Sequence, residues 1–348
     1  MSEGATLPPA VLERWTTELL AAAGLEGEAA ATVSRTLVDA SLRGVDSHGV
    51  ARTPIYLERL RAGGINPRPR PRIEREEGAV ALMHGDDGPG QVAGVAATDH
   101  SIELARRFGV GVVAVRRSNH YGAAGFYAIR AARAGLIGMS TTNSDPFVIP
   151  FGGREATLGT NPIAFAAPVP DGVWCLDMAT SQVAINRVYN ARDEGRPIPP
   201  GWGVDAEGRD TTDPAVVAAG VPLGGYKGYG LAIMVEVLSA AVSGSAITHR
   251  VGRLYGDEAR PQDVGHFHLA LDPGPLVGAG PFAERLAGLL AELKASPVGP
   301  GSDEVLVPDE PEQRAAAERS RTGIPLPAFL WSALREASAE LGVEAPAG

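Results

Sequence analysis

The sequence predicts an α+β fold, on three observations. Residues 1–60 and 311–341 carry helical periodicity, and the stretch between them alternates short apolar strands with helices. That central stretch lacks the regular strand–helix–strand spacing of a doubly wound sheet.

Taken in order, Pro8 and Pro9 suit a first helical turn, and Leu12, Trp15, Leu19 and Leu20 give it one apolar face that stops near Gly24. A second helix is expected over 27–43, with Ala30, Val33, Leu37 and Ala40 on one stripe and Gly44 at its end. A third carries Ile55, Leu57 and Leu60 toward Gly63 and Gly64. The Arg- and Pro-rich run 68–75 reads as an extended surface connection. Strands are expected at 79–83, 110–115, 136–142, 163–167, 173–177 and 266–271. Helices are expected at 91–107, 123–134, 181–195, 227–243, 282–295 and through the tail from 311 to 341.

The 348 residues, 44% of them hydrophobic, can bury a sizeable core. A formal charge of −10 opposes a phosphate-backbone partner, so nucleic acid is not expected. Cys175 is the single cysteine and sits in the apolar run 173–176, which excludes an intrachain disulfide and favours a buried inert thiol. The opening MSEGATLPPA carries no charged segment followed by an apolar one, and no run of 18 apolar residues occurs. A cytoplasmic location with no membrane partner is therefore expected.

No G-x-G-x-x-G joins a strand to a helix, so a Rossmann dinucleotide fold is not expected. The segment 222–231, PLGGYKGYGL, instead opens an apolar helix. Free amides at that helix start and the Lys227 charge suit a phosphate, and a solvated Gly-rich loop is the plain alternative. His48, Arg52 and Tyr56 recur every four residues, which on a helix places an imidazole, a guanidinium and a phenol on one face. Such a face can grip a carboxylate and exchange a proton, and a polar solvated face is the plain alternative. His120, in SNHYG just past an apolar strand, is a second histidine placed to face a cleft, and imidazole titrates near neutrality as proton transfer requires; a structural loop histidine is the alternative. Polar elbows at 158–162 and 177–181 flank apolar strands; each is a plain turn and helix cap or a contact surface, with Thr160 the candidate cofactor contact and Asn161 the candidate substrate contact. His266 and His268 share a strand face, but no third ligand stands near in sequence, so no metal site is expected.

Six blocks in register, DSHGVAR (46–52), SNHYGAAGFY (118–127), PFGGREATLGTNPIAFAAP (150–168), LDMATS (176–181), TTDP (211–214) and GGYKGYGL (224–231), resemble the malate/L-lactate dehydrogenase family that lacks the Rossmann fold. Two stretches look most like its ureidoglycolate dehydrogenase branch, although Asp46 stands where that branch has His. The resemblance implies a mixed, largely antiparallel sheet for the NAD(P)-binding domain. It implies a helical region over 1–70 that packs with 308–343, a sheet-containing substrate and dimer domain from 71–125 and 245–307, and a cofactor domain at 126–244.

It further implies hydride transfer between NAD or NADP, with NAD favoured, and a small 2-hydroxy or 2-oxo acid. His120 and His48 would be the acid/base pair, with the proton carrier between them left open. Ser47, Arg52 and Tyr56 would surround the substrate, and Ser144, Asp177, Met178, Ala179, Lys227, Gly228 and Asp309 the cofactor. A homodimer is expected on the same ground. The alternatives are reduction of a cyclic ketimine and a non-catalytic nicotinamide-nucleotide-binding protein.

Overall fold

The computed structural model describes residues 4–347. In chain order its elements are β1 (Ala5–Leu7), α1 (Pro9–Ala22), α2 (Gly27–Leu42), α3 (Thr53–Ala62), β2 (Arg72–Glu77), β3 (Val80–His84), α4 (Gly90–Phe108), β4 (Val110–Ser118) and α5 (Gly125–Arg133). There follow β5 (Ile137–Thr142), β6 (Ile163–Val169), β7 (Gly172–Met178), α6 (Ile185–Asp193), β8 (Gly203–Val204), β9 (Ala219–Gly220) and α7 (Tyr226–Val235), which continues as a π-helical turn over Glu236–Ala241. The chain ends with β10 (Val264–Leu271), α8 (Gly274–Val277), α9 (Ala279–Lys294), α10 (Glu310–Thr322), β11 (Ile324–Leu326) and α11 (Ala328–Leu341).

A seven-stranded sheet in the order β2-β3-β4-β10-β5-β6-β7 forms the centre. Only β3 and β4 run parallel, and every other neighbouring pair is antiparallel. This is the mixed, largely antiparallel sheet that the family resemblance implies. β10 sits in the middle, so residues after 263 and residues before 143 meet at hydrogen-bonding distance. The domain boundary expected between 125 and 126 cuts across this continuous sheet, because β5, β6 and β7 extend the ladder that β4 and β10 begin.

The N-terminal helices bury the stripe that periodicity assigned, with Leu12, Leu19, Leu20 and Leu37 fully enclosed. α11 closes the same core: the Trp15 indole donates to Ser338 Oγ at 2.8 Å, and the Trp15 and Trp331 rings meet edge-on. β1 pairs with β11, tying the two ends of the chain together.

Three expectations are corrected. The run 68–75 is not wholly a connection: Arg72–Glu77 forms the edge strand β2, whose Arg and Glu side chains face solvent, as suits an exposed sheet edge. The C-terminal tail is two helices separated by β11 rather than one. The helix expected over 181–195 is confined to 185–193. Among the described residues no helix is long and apolar enough to cross a membrane.

Candidate active site

The chain leaves α2 at Gly44 and makes two single turns of 3-10 helix, Asp46–His48 and Val50–Arg52, before α3. His48, Arg52 and Tyr56 therefore do not share one helix, contrary to the spacing argument. Gly49 breaks it with ψ −151°, and a Cβ there would collide with Ser41 Oγ on α2. The Val50 amide donates to that same oxygen at 3.0 Å, which anchors the break. The broken path still converges. Arg52 Nε donates to the Ser47 carbonyl at 2.7 Å, and Ser47 Oγ lies 2.9 Å from His48 Nδ1.

His120 arrives from the far end of β4 on a loop that neighbouring elements clamp. Asn119 Nδ2 donates to the Asp87 and Gly88 carbonyls at 2.8 and 3.0 Å, and Asn119 Oδ1 accepts from the Gln262 amide at 2.9 Å. The His120 amide donates to Gln262 Oε1 at 2.9 Å. This clamp lays the His120 ring against His48, with centroids 5.7 Å apart and planes 17° from parallel. Tyr56 Oη stands 2.6 Å from His120 Nδ1, whereas Nε2 has no protein partner among the described residues.

Both imidazoles are held neutral at pH 7. Burial pushes His48 down to about 4, assisted by the Arg52 charge. Burial likewise holds His120 well below the usual histidine range, with His48 and Arg52 adding to the effect. Burial raises the Tyr56 phenol, so it stays protonated and available as a donor.

Several residues of the site gave no signal in the sequence. Arg52 Nη1 hydrogen-bonds Tyr255 Oη, and its guanidinium carbon lies 5.7 Å from that ring. Asp145 accepts from the Leu254 amide at 3.3 Å, and the Arg52 and Arg253 charges lower a carboxyl that burial raises. Arg59, fully buried, donates to the carbonyls of Arg253, Leu254, Asp257 and Arg260, which pins the loop carrying Tyr255 onto α3. Only the fold, joining positions about one hundred to two hundred apart, could have found these.

Of the expected cofactor residues, Ser144 and Thr160 lie on a polar strip that backbone hydrogen bonds carry on to Thr180 and Leu223. The Thr160 amide donates to Ser144 Oγ at 3.1 Å, the Thr180 amide to the Thr160 carbonyl at 2.9 Å, and the Leu223 amide to the Thr180 carbonyl at 2.9 Å. Asp177 and Met178 end β7, paired with Ala164 and Ile163, and half-buried Ala179 follows. The Asp177 side chain is open to solvent, but Oδ2 accepts from the Gly125 amide at 2.7 Å. Lys227 is exposed in the first turn of α7.

Three of the expected site residues are engaged within the protein itself. Asn161 is fully buried, donates to the Ala232 carbonyl and Glu236 Oε1 at 3.1 Å each, and accepts from the Ser144 amide; it shapes the strip and has no atom left for substrate. The Gly228 amide donates to the Leu223 carbonyl at 2.8 Å, and a Cβ there would collide with that oxygen, so close packing is what requires glycine. Asp309 is buried, ion-paired to Arg43 and bonded by Gln313 Nε2 at 2.9 Å, so both its oxygens are engaged. The strand pair His266 and His268 lies behind the His120 loop, and among the described residues no group of three or more His, Cys, Asp or Glu is arranged to hold a metal.

A pair of neutral imidazoles beside a guanidinium, next to a polar strip on a non-Rossmann sheet, defines a proton-handling site for a small anion. The family model of malate/L-lactate dehydrogenases matches residues 7–335. The chain belongs to that family. It is 41% identical over 302 residues to the NAD(+) ureidoglycolate dehydrogenase of Escherichia coli O157:H7, covering 86% of each chain. The structure of sulfolactate dehydrogenase from Methanocaldococcus jannaschii superimposes with a TM-score of 0.92 at 37% identity, covering 98% of both chains. That of delta1-piperideine-2-carboxylate reductase from Pseudomonas syringae pv. tomato gives 0.86 at 30% identity, covering 96% of this chain and 99% of that one.

Proposed function

We propose that the protein is an NAD(P)-dependent dehydrogenase that interconverts a small 2-hydroxy acid and its 2-oxo acid. The observation that carries this reading is the His48–His120 stack beside Arg52, with His120 held through Nδ1 and open at Nε2. Arg52 has Nε and Nη1 fixed by Ser47 and Tyr255, which leaves Nη2 for a substrate carboxylate. His120, neutral because it is buried, takes the hydroxyl proton in oxidation and returns it in reduction. His48 is neutral as well and serves as the second hydrogen-bonding group at the reacting oxygen, beside Ser47.

The residues present fit a nicotinamide dinucleotide by their donor set. Ser144, Thr160 and the open Asp177 carboxylate suit ribose and amide groups, Met178 and Ala179 a ring face, and Lys227 at the start of α7 a pyrophosphate. Asp309 and Gly228 contribute by shaping that surface. When bound, the nicotinamide supplies the hydride chemistry, and the protein supplies position and proton management.

The same proposal includes a homodimer. Exposed Tyr226, Ile233, Met234, Val237 and Val242 make an apolar face along α7 and its π turn, of the kind a second copy would bury. It also includes a cytoplasmic location, consistent with the single, buried Cys175.

The likeness to a piperideine carboxylate reductase favours one second reading, reduction of a cyclic ketimine. Absorbance at the reduced-nicotinamide band separates the two, with NADH and NADPH each tested on pyruvate, oxaloacetate, oxalurate and piperideine carboxylate. Oxidation of cofactor by a 2-oxo acid is expected. Turnover of the cyclic imine alone would move the assignment to the second reading, and cofactor binding without any turnover would leave a nucleotide-binding protein.

A further inference from the structure

Gln91 lies in the first turn of α4 and is fully buried. Its Nε2 donates to Tyr56 Oη at 2.9 Å, and that oxygen stands 2.6 Å from His120 Nδ1. A phenol that accepts a hydrogen from Gln91 directs its own hydrogen at Nδ1, where the Gly122 amide also points from 3.4 Å. Two donors at Nδ1 leave the neutral ring with its hydrogen on Nε2. In that tautomer the open nitrogen has no lone pair with which to take a substrate proton. In the same arrangement Gln91 Oε1 is buried without a partner.

We propose that Gln91 is the positioning residue of His120: a half-turn of its amide, relayed by the Tyr56 hydroxyl, selects which ring nitrogen carries the proton. The amide nitrogen and oxygen are isosteric, so the half-turn changes no shape. After it, Oε1 accepts the Tyr56 hydroxyl hydrogen, the phenol oxygen accepts from His120 Nδ1–H, and the Nε2 lone pair faces the open site. Either orientation leaves one buried amide atom unpartnered, and the turned one also takes the Nδ1 lone pair away from the long Gly122 contact, so the Gln91 orientation and the His120 tautomer change together.

The proton balance is simple. In oxidation the substrate hydroxyl proton goes to Nε2, while the Nδ1 and Tyr56 hydrogens stay on their own atoms as hydrogen bonds. In reduction Nε2 gives the proton back. The catalytically competent neutral form and the charged form both carry Nδ1–H, and both therefore need Oε1 turned toward Tyr56. Because burial, the neighbouring His48 ring and the Arg52 charge oppose a charged His120, a carbonyl dipole delivered through Tyr56 acts in the opposite sense.

This proposal rests on the dehydrogenase reading. The test compares wild type with Gln91→Met and Gln91→Glu, by the pH profile of kcat/KM for hydroxy-acid oxidation and by the 15N signals of labelled histidine, with His120 assigned through His120→Asn. Gln91→Met should lower kcat by at least about tenfold with KM within about twofold, since a wrong tautomer at a proton-transfer site removes up to about 10⁴ in rate. Its His120 should give the Nε2–H pattern. Gln91→Glu should raise the kinetic pKa of the acid limb by about one unit. Profiles and 15N patterns that superimpose on wild type for both variants would overturn the proposal. Should neither variant fold, wild-type protein decides: His120 must populate Nδ1–H at pH 8, and a pure Nε2–H signal contradicts the relay. Absence of wild-type turnover on every hydroxy acid would refute the dehydrogenase reading instead, while the 15N pattern, which needs no turnover, still judges Gln91.

Discussion

Two pairs of histidines occupy neighbouring parts of this molecule, and burial pushes all four below their ordinary range. His48 and His120 come from loop segments and stack face to face, with His120 Nε2 left open. His266 and His268 come from the central strand β10 and are enclosed. His266 is bonded at both nitrogens, to Thr142 Oγ1 at 2.9 Å and Ser118 Oγ at 2.8 Å, and Tyr121 stacks on its ring at 4.6 Å. His268 holds Thr98 through Nδ1 at 3.0 Å, and its Nε2 is buried with no partner. A depressed pKa is thus common to both pairs and marks neither as chemical. What separates them is whether a ring nitrogen opens onto a surface where an anion can be held.

That contrast can be broken from either side. The largest expected effect lies at the open pair: Arg52→Ala should lower kcat/KM for a 2-hydroxy acid by about 100-fold, the worth of a lost charge-assisted hydrogen bond, with the melting temperature little changed. Steady-state kinetics beside a thermal melt read both quantities, and an unchanged kcat/KM would remove Arg52 from the substrate. At the enclosed pair the effect should invert. His266→Phe strands the Ser118 hydroxyl and should cost about 1–3 kcal/mol of stability by urea denaturation while leaving nicotinamide binding near wild type. Intact stability with lost cofactor binding would reverse the roles given to the two pairs.

A smaller effect is a pH dependence of fixed sign. His268 is held near 3 in the folded protein, whereas an unfolded chain titrates near 6.5. As pH falls, the unfolded state takes the proton first. The stability associated with neutral His268 is therefore complete above about pH 6.5 and lost progressively toward pH 3. Relative to wild type, His268→Gln should gain up to about 2 kcal/mol between pH 7 and pH 5. A stability gap that stays constant over that window would mean that His268 is not held neutral by burial.

Much of the fold was legible because it rests on local pattern. The stripe Leu12, Trp15, Leu19 and Leu20 and the apolar strands around Val113 and Ala164 lie buried as periodicity requires. The site was legible by residue type more than by geometry. Spacing joined His48, Arg52 and Tyr56 through a helix that Gly49 interrupts, and they meet because α2, the two single turns and α3 fold back together. Tyr255, Gln262 and Gln91 were not legible, since each reaches the site from a distant part of the sequence through one or two hydrogen bonds. β2 escaped notice because an edge strand of Arg and Glu with a half-buried Ile73 has almost no apolar alternation to reveal it.

His120 is proposed as the group that takes the hydroxyl proton. The direct measurement is the initial rate of cofactor reduction by malate, lactate and ureidoglycolate for wild type and His120→Ala, at cofactor concentrations shown by fluorescence to saturate both. Turnover by wild type and a loss of at least about 100-fold in the variant are expected, with cofactor affinity unchanged. Wild-type-like turnover by His120→Ala would contradict that role and shift the proton to His48.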